Sequence, residues 1–399
     1  MNERGRSVYE VAIVGGGLAG LMAAARAETL GASVVLIDAS VVSTAGSLGG
    51  FAPFSGAKFS LFPAGTGIGP IVGGDDALIA RYRQVCTIIA ALGFPRFEVT
   101  DRQLMGAESS TKQDLSYRRY HSILLSTLEM TSLVSALSAR LSHTKVVRAN
   151  ATHIAVSGGA PFEIQLGTRD VIVGKTLIMA AGRLGSGLLE AASVPQTSGK
   201  GIDIGVRLAF DDRVSVAGLR ELGPDAKFMA AGVRTFCLNS PGRIFHYPGL
   251  GYSLPGGVVA EADWPESNVG VLCRLPDRAA FLREFSRQTP PLGALPLSQP
   301  GSGLDLGWSE SSRKSIGEQV AKRIDEFVVK LENSGLVKLP NRYVVHYPLL
   351  DWYWPVFSLP GRLTTAVPGL FATGDASGHA RGLMQAAVMG ILAAEEALR

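Results

Sequence analysis

The chain has 399 residues, a formal net charge of +4 and 46% hydrophobic residues, so it can build a substantial core. Charged residues make up only 18%, which excludes a largely disordered chain, and Lys and Arg are scattered, so nucleic-acid binding is not expected. The three cysteines, Cys86, Cys237 and Cys273, form no CxxC pair, which disfavours a redox dithiol or a zinc site, and we expect no metal.

The chain shows no run of about twenty apolar residues, so no membrane span is expected. Residues 1–7 are short and charged and lead directly into the first predicted strand, which does not fit a signal peptide. These observations predict a cytoplasmic protein.

The first predicted unit has the order strand, glycine turn, helix, strand and acid. An apolar strand at 11–14 precedes Gly15-x-Gly17-x-x-Gly20, a helix follows, and a strand at 34–37 ends at Asp38. Gly15 permits the tight turn, Gly17 lets the backbone approach a pyrophosphate, and Gly20 lets the helix pack on the sheet. Asp38 is placed to accept ribose hydroxyls, so this unit predicts a dinucleotide site, for either NAD or FAD.

Downstream, a glycine-rich loop with Lys58 as its charged residue leads to a predicted helix at 75–92. A second helix is predicted at 117–141. Strands follow at 145–156, 162–166 and 171–173, and a buried strand at 176–182 ends in Ala181 and Gly182.

Residues 199–210 suggest a short helix that enters a β-rich region. Strands are predicted there at 233–238, 243–247, 252–259 and 268–275, and a helix at 311–334. We therefore predict a second domain at 205–340, inserted into a first domain formed by 1–204 and 341–399. The last part contains a strand at 342–347, a buried strand at 368–375 and a closing helix at 383–398.

The C-terminal Phe-Ala-Thr-Gly374-Asp375 segment favours FAD over NAD. Asp375 can accept a hydroxyl of a sugar alcohol, and the helix that begins near Leu383 can direct its positive end at a ring that gains negative charge on reduction. A flavin has such a ring, whereas NAD alone does not need this second set of contacts.

Three sequence marks resemble those of two-dinucleotide-fold FAD proteins of the glutathione-reductase superclass: residues 14–20, 180–182 and 371–375. The blocks at 49–60, 232–237 and 374–390 are similar to bacterial FAD-dependent dehydrogenases without a common defined reaction. The expected fold class is α/β, with a Rossmann-like FAD-binding domain (GR2 type) and an inserted β-rich substrate domain.

The resemblance implies that the N-terminal glycines bind the pyrophosphate, Asp38 the ribose, Asp375 the ribityl chain, and Val147 the adenine. Leu383 and Met384 are expected at the pyrimidine edge of the flavin ring. The full set of expected cofactor-binding residues is Gly15, Gly17, Gly20, Asp38, Ala39, Gly49, Gly50, Val147, Ala181, Gly182, Gly374, Asp375, Gly382, Leu383 and Met384.

Catalysis by a flavin needs a substrate held against the ring and often a proton donor or acceptor. The candidates are Lys58, His379, Arg381, His246 and Tyr252, together with Tyr247 and Trp352. Trp352 and Trp354 are expected to form either an apolar wall beside the ring or a hydrophobic plug between the domains. Lys58 follows the glycine-rich loop, and His379 and Arg381 lie between the last strand and the closing helix.

These features predict an FAD-dependent oxidoreductase that transfers a hydride between a small organic substrate and flavin N5, by dehydrogenation or C=C reduction. The alternatives are a flavin oxidase or monooxygenase, and a non-catalytic or RNA-associated flavoprotein. NAD(P)H is a possible transient reductant, and the sequence leaves the substrate and the oligomeric state open.

Overall fold

The computed structural model of the chain describes residues 7–39, 48–112, 115–156, 161–197, 202–225, 227–249, 251–275, 295–352 and 355–399. The strands are β1 Val8–Val14, β2 Val34–Asp38, β3 Lys58–Ser60, β4 Ala107–Lys112, β5 Leu115–Tyr120, β6 Ser122–Leu124, β7 Lys145–Arg148, β8 Ala151–Ala155, β9 Phe162–Leu166, β10 Val171–Met179, β11 Gln196–Thr197, β12 Ile202–Phe210, β13 Lys227–Ala230, β14 Val233–Asn239, β15 Gly242–Gly249, β16 Tyr252–Val259, β17 Ser267–Leu275, β18 Leu297–Gly301, β19 Tyr343–Trp352, β20 Val356–Phe357 and β21 Leu370–Ala372.

The α-helices in this part of the chain are α1 Leu18–Thr29, α2 Gly69–Val72, α3 Asp75–Ala90, α4 Asp101–Met105, α5 Thr127–Ala139, α6 Ser186–Ala191, α7 Ala217–Glu221, α8 Glu310–Ile316, α9 Glu318–Asn333 and α10 Leu383–Ala397. None of these helices is both long and apolar enough to cross a bilayer.

The first sheet has a parallel centre in the order β7-β2-β1-β10-β21. Its strands are almost continuous runs of buried apolar residues, as parallel strands covered on both faces require. The first half of β10 also pairs with β9, which pairs with β8, in an antiparallel meander. Because parallel strands end at one edge, the residues that follow β1, β2, β10 and β21 are brought together there.

Helices α1, α3, α5 and α10 share a hydrophobic core that covers one face of this sheet. The contact between α1 and α10 is close: a Cβ atom on Gly390 would lie 2.1 Å from the carbonyl oxygen of Ala19. The closing helix is therefore held directly against the helix that follows the glycine turn.

The second sheet has eight antiparallel strands in the order β18-β19-β12-β17-β14-β13-β5-β4. Its apolar face is covered by α9, and alternate residues of β12, such as Ile204 and Val206, lie in that core. Asp203 and Arg207 therefore point to the opposite face. The β15–β16 ribbon packs on this polar face, since a Cβ atom on Gly257 of β16 would lie 2.4 Å from side-chain atoms of Arg207, Asn239 and Asn268.

Several predicted elements are confirmed. The helix predicted at 75–92 is α3, the β-rich strands are β14 to β17, and the closing helix is α10. The helix predicted at 311–334 is divided by Gly317, whose φ of +89° ends α8 and begins α9.

Two predicted helices are wrong. Residues 117–124 form β5 and β6, and only Thr127–Ala139 is helical, because β5 pairs with the distant β13. Residues 202–210 form the nearly fully buried β12, with two strand neighbours. Neighbouring strands in the fold override the local helical pattern at both positions.

The expected return to the first domain at residue 341 also needs correction. Strand β19 belongs to the eight-stranded sheet, and so does the β4–β5 hairpin, which comes from within the predicted 1–204 segment. Both segments pair with strands far away in sequence, and local sequence patterns do not encode such pairing.

Candidate cofactor site and the facing sheet

The glycine turn between β1 and α1 has no room for larger residues. Gly15 has a φ of +107°, and a Cβ atom there would lie 2.3 Å from the carbonyl oxygen of Ala180. A Cβ on Gly20 would lie 1.8 Å from the carbonyl oxygen of Gly15. Gly17 is the N-cap of α1, and a Cβ atom there would have its nearest neighbour, the carbonyl oxygen of Gly49, 3.9 Å away. This side of the turn is therefore open beside the helix N-terminus. A pyrophosphate could bind there to free N–H groups.

Gly49 and Gly50 lie against this turn. The Gly49 N–H donates a 2.7 Å hydrogen bond to the carbonyl of Gly16, and Gly49 forms a backbone bridge with Gly17. A Cβ on Gly50 would approach the Gly17 Cα to 3.3 Å. Two glycine segments separated by thirty residues of sequence thus form one cradle of backbone.

Asp38 closes the β2 side of the cradle. Its Oδ2 accepts a 2.6 Å hydrogen bond from the Gly16 N–H, and Arg148 lies 3.7 Å from its Oδ1. The carboxylate is only 9% exposed and is therefore fixed in place. Val147 pairs with Ile37 on the neighbouring strand, and the exposed Ala39 directly follows Asp38.

The ends of β10 and β21 form the other side of the site. The Thr373 N–H donates to the carbonyl of Met179 at 2.9 Å, which brings Gly374 and Asp375 beside Ala181 and Gly182. Arg183 Nε donates to Asp375 Oδ2 at 3.2 Å. Burial raises the pKa of Asp375, and Arg183 offsets only part of that rise.

Helix α10 begins at the same edge of the sheet. Gly382 is its N-cap and offers no side-chain cap to the first-turn N–H groups, while Leu383 and Met384 are buried. These uncapped amides and the helix dipole favour negative charge in front of the helix. The predicted cofactor residues therefore converge, and their open glycine cradle, fixed acids and helix N-termini fit a dinucleotide that carries a sugar-alcohol chain and a reducible ring.

Lys58 lies near this site but is held in an ion pair. Its Nζ donates to the carbonyl of Leu238 and lies 3.6 Å from Asp225 Oδ1. The side chain is 8% exposed and links β3 to the second sheet. This placement favours a positioning role over proton transfer.

His379 and Arg381 lie in the linker between Asp375 and α10. The His379 Nε2 lies 2.9 Å from the carbonyl oxygen of Phe357 and donates its proton there, since a carbonyl can only accept. Arg381 Nη2 donates to Asp351 Oδ1 of β19. Both residues are close in sequence and space to the start of α10.

His246 and Tyr252 belong to the β15–β16 ribbon. The His246 ring packs on His346 with centroids 5.3 Å apart, and its Nε2 is buried without a hydrogen-bond partner. Tyr252 is buried in the core of the second sheet, which does not favour contact with substrate. Trp352 ends β19, and Trp354 lies outside the described residues.

Tyr247 belongs to an aromatic cluster that joins the two parts of the molecule. Its ring lies 5.4 Å from that of Phe51, which directly follows Gly50. Phe245 lies 6.0 Å from Phe51 and 5.7 Å from Phe54. This cluster is a partly exposed aromatic wall next to the glycine cradle.

Several charged residues around the site were missed in the sequence. Asp203, Arg234, Arg274 and Asp351 form ion pairs on the polar face of the second sheet, and Arg183 pairs with Asp375. The alternation of charged and apolar residues along β12 was the one usable signal, and reading residues 199–210 as a helix concealed it.

Residues 10–58 match the family described as FAD binding domain. No curated protein matches the sequence. The match falls on the segment that contains β1, the glycine turn, α1, β2 and the Gly49–Gly50 loop, and it confirms FAD as the cofactor.

The solved structures similar to this chain include a geranylgeranyl bacteriochlorophyll reductase-like protein from Thermoplasma acidophilum, at 14% identity over 98% of this chain and 78% of that chain, with a TM-score of 0.45. A glycine oxidase from Geobacillus kaustophilus is 12% identical over 98% and 95% of the two chains, with a TM-score of 0.46. Likeness at this level does not inform function, so the assignment rests on the family match and the cradle. The chain is therefore a flavoprotein with a Rossmann-like FAD-binding domain.

Proposed function

We propose that this flavoprotein is an oxidoreductase that transfers a hydride between a small organic substrate and flavin N5. The observation that carries the proposal is the position of α10. Its uncapped N-terminus lies at the same sheet edge as Asp375 and the glycine cradle, and Arg381, two residues before it, binds Asp351 on the polar face of the second sheet. A cofactor held only for structure would not need this facing sheet or the charged residues on it.

The expected cofactor contacts follow from this geometry. Gly15, Gly17 and Gly20 hold the pyrophosphate at the N-terminus of α1, and Asp38 accepts ribose hydroxyls. Asp375, which accepts a hydrogen bond from Arg183, would accept hydrogen bonds from the ribityl hydroxyls. Bound there, FAD supplies the hydride acceptor or donor.

The first turn of α10 stabilises negative charge on the reduced ring through its uncapped N–H groups. The aromatic wall of Phe51, Phe54, Phe245 and Tyr247 excludes water from one side of the substrate space. Since electrostatic interactions strengthen where water is excluded, the two features act together.

His379 is the best candidate for a proton acceptor or donor. Its Nε2 is oriented by the Phe357 carbonyl, which leaves Nδ1 to take up a proton. Its backbone N–H donates to Ser377 Oγ at 3.2 Å, which fixes the linker next to α10.

We expect His379→Gln to lower the rate of flavin reduction by substrate about 100-fold, the usual size of a general acid–base contribution. The matched control is His153→Gln, on the exposed surface of β8. The measurement is anaerobic stopped-flow reduction of the FAD-loaded protein. Equal rates for both variants would remove His379 from the mechanism.

The proposed function itself is tested by anaerobic mixing of the FAD-loaded protein with small organic acids, alcohols, amines, NADH and NADPH. We expect at least one organic donor to bleach the visible flavin absorption, or NAD(P)H to do so with later reoxidation by an unsaturated acceptor. Peroxide release in air would favour the oxidase alternative. Failure of every donor and acceptor, together with salt-dependent RNA retention, would favour the RNA-associated alternative.

A further inference from the structure

The polar face of the second sheet carries a network of arginines and aspartates. Asp203 of β12 is the strand neighbour of Asp351 on β19 and of Arg274 on β17. Arg234 and Arg274 pair with Asp203, and Arg234 and Arg381 pair with Asp351. Both aspartate side chains are buried, with exposures of 1% and 6%. We call these five residues the arginine–aspartate network.

Arg234 binds both aspartates of the network. Its Nε and Nη2 donate to Asp203 Oδ2 at 3.0 and 2.6 Å, and Nη2 also donates to Asp351 Oδ2 at 2.8 Å. Its guanidinium lies 5.0 Å from the ring centroid of Phe236. In the part of the chain that the structure describes, its Nη1 has no acceptor, and the side chain is 18% exposed. Arg234 therefore presents the two N–H groups of Nη1 to the space before the sheet.

The network borders the place expected for the flavin ring. Arg381, which binds Asp351, lies two residues before the first residue of α10 and six residues after Asp375. Arg183, on the other side, donates to Asp375 itself. A small molecule bound in front of Arg234 would thus lie between the sheet and the start of α10.

The five residues of the network carry three positive charges and two negative charges. Burial and, after it, the charges of Arg183 and Arg234 together lower the pKa of Arg381 to about 9, against the opposing effect of Asp203. Crowded guanidinium groups in a partly buried site gain from a bound anion.

We propose that the substrate is a small organic carboxylate whose anionic group binds to Arg234 Nη1 in front of the network. A carboxylate accepts charge-assisted hydrogen bonds from a fixed guanidinium with good geometry. A monoanion also suits the site better than a phosphate dianion, because Asp203 and Asp351 repel added negative charge. This inference rests on the proposed function, which gives the place of the flavin.

The test uses benzoate and its uncharged isostere benzamide as probes of the FAD-loaded protein. We expect benzoate to perturb the visible flavin spectrum saturably, and benzamide to bind at least about tenfold more weakly, since a charge-assisted hydrogen bond is lost. Inorganic phosphate should bind more weakly than benzoate. Equal binding of benzoate and benzamide, or tighter binding of phosphate, would overturn the proposal.

Two variants locate the site. Arg234→Gln should weaken the binding of benzoate at least about tenfold. The control is Arg243→Gln: the wild-type Arg243 guanidinium stacks on Trp264 at 3.8 Å, and its loss should leave benzoate affinity at the wild-type level. If thermal unfolding shows that Arg234→Gln does not fold, Arg234→Lys replaces it as the test variant. Lysine keeps the charge but lacks the planar guanidinium, so this variant should still bind benzoate more weakly than the wild-type protein. A folded Arg234 variant with wild-type benzoate affinity would refute the assignment.

The outcomes separate the two proposals. A protein that is reduced by organic donors but does not distinguish benzoate from benzamide retains the proposed function and loses the carboxylate inference. A flavoprotein that no donor reduces loses the proposed function, whatever its affinity for benzoate.

Discussion

At the residue scale, the glycine turn is determined by contacts that leave no space for a Cβ atom. Gly15 and Gly20 approach the backbone of Ala180 and of each other too closely for any side chain. These contacts join β1, α1 and β10 at the point where a pyrophosphate would bind. The sequence spacing predicted this turn because the GxGxxG pattern follows from the same steric requirement.

We therefore predict that Gly20→Ala abolishes FAD retention on gel filtration and destabilises the fold by about 1–3 kcal/mol, the usual cost of overpacking. The control is Gly187→Ala in α6, where no atom lies within 4 Å of the new Cβ. The control should keep its FAD and its stability. Normal FAD content in Gly20→Ala would show that the helix can move away from the turn.

His346 makes the stability of the fold depend on pH. Burial and, after it, the charges of His246 and Arg207 together lower its pKa to about 4. The unfolded chain binds a proton at this ring below about pH 6.5, whereas the folded ring stays neutral until about pH 4. Stability is therefore lost as the pH falls through this window.

We expect urea denaturation of the wild-type protein to show a loss on the order of 2 kcal/mol from this ring between pH 6.5 and 4, after allowance for its partial exposure. His346→Asn should flatten that part of the pH profile, and His143→Asn, on an exposed turn, should not. An unchanged slope in His346→Asn would contradict the assignment.

At the element scale, a buried polar cluster connects β3, β5 and β13. Asp225 lies 3.6 Å from Lys58 Nζ and accepts hydrogen bonds from Ser60 and Tyr120 at 3.0 and 3.3 Å. Burial alone would raise the pKa of Asp225, but Lys227, Lys58 and the two hydroxyls lower it on balance. The cluster attaches the second sheet to the glycine-rich loop.

Asp225→Asn should cost about 3–5 kcal/mol, because it leaves two buried lysines without their carboxylate. The matched control is Glu310→Gln, which breaks the exposed pair with Lys314 on α8 and should not shift the thermal midpoint measurably. Similar midpoints for both variants would show that the cluster does not hold the sheet in place.

The elements that were predicted correctly are those whose own residues show a clear helix or strand pattern. Helix α3 has two aspartates in its first turn and a regular apolar face, and β1 and β2 are short apolar runs that flank the glycine turn. Strand β12 was missed although Ile202, Ile204 and Val206 alternate with Asp203 and Gly205. A Cβ on Gly205 would lie 1.9 Å from the carbonyl oxygen of Val271, a strand contact that the local sequence does not reveal.

At the scale of the whole molecule, the second sheet is joined to the start of α10, at the edge of the first sheet, through the Arg381–Asp351 ion pair. The first sheet and the convergence of its glycines and acids could be predicted, because dinucleotide-binding folds keep such residues at set positions along the chain. The substrate side could not, since β4, β5 and β19 join the second sheet from segments assigned to the first domain. The arginine–aspartate network exists only after this assembly, because Arg234 and Asp351 lie 117 residues apart in sequence.

The central claim is that this chain binds FAD in the cradle formed by the N-terminal glycine turn and the end of β21. The most direct test is the absorption spectrum and cofactor content of the purified chain, with and without added FAD, compared with Asp375→Ala. We predict a yellow protein that releases an equimolar amount of FAD on denaturation, and a marked loss of FAD in the variant. A colourless chain that takes up no added FAD, or an Asp375→Ala variant with undiminished FAD affinity, would contradict this account.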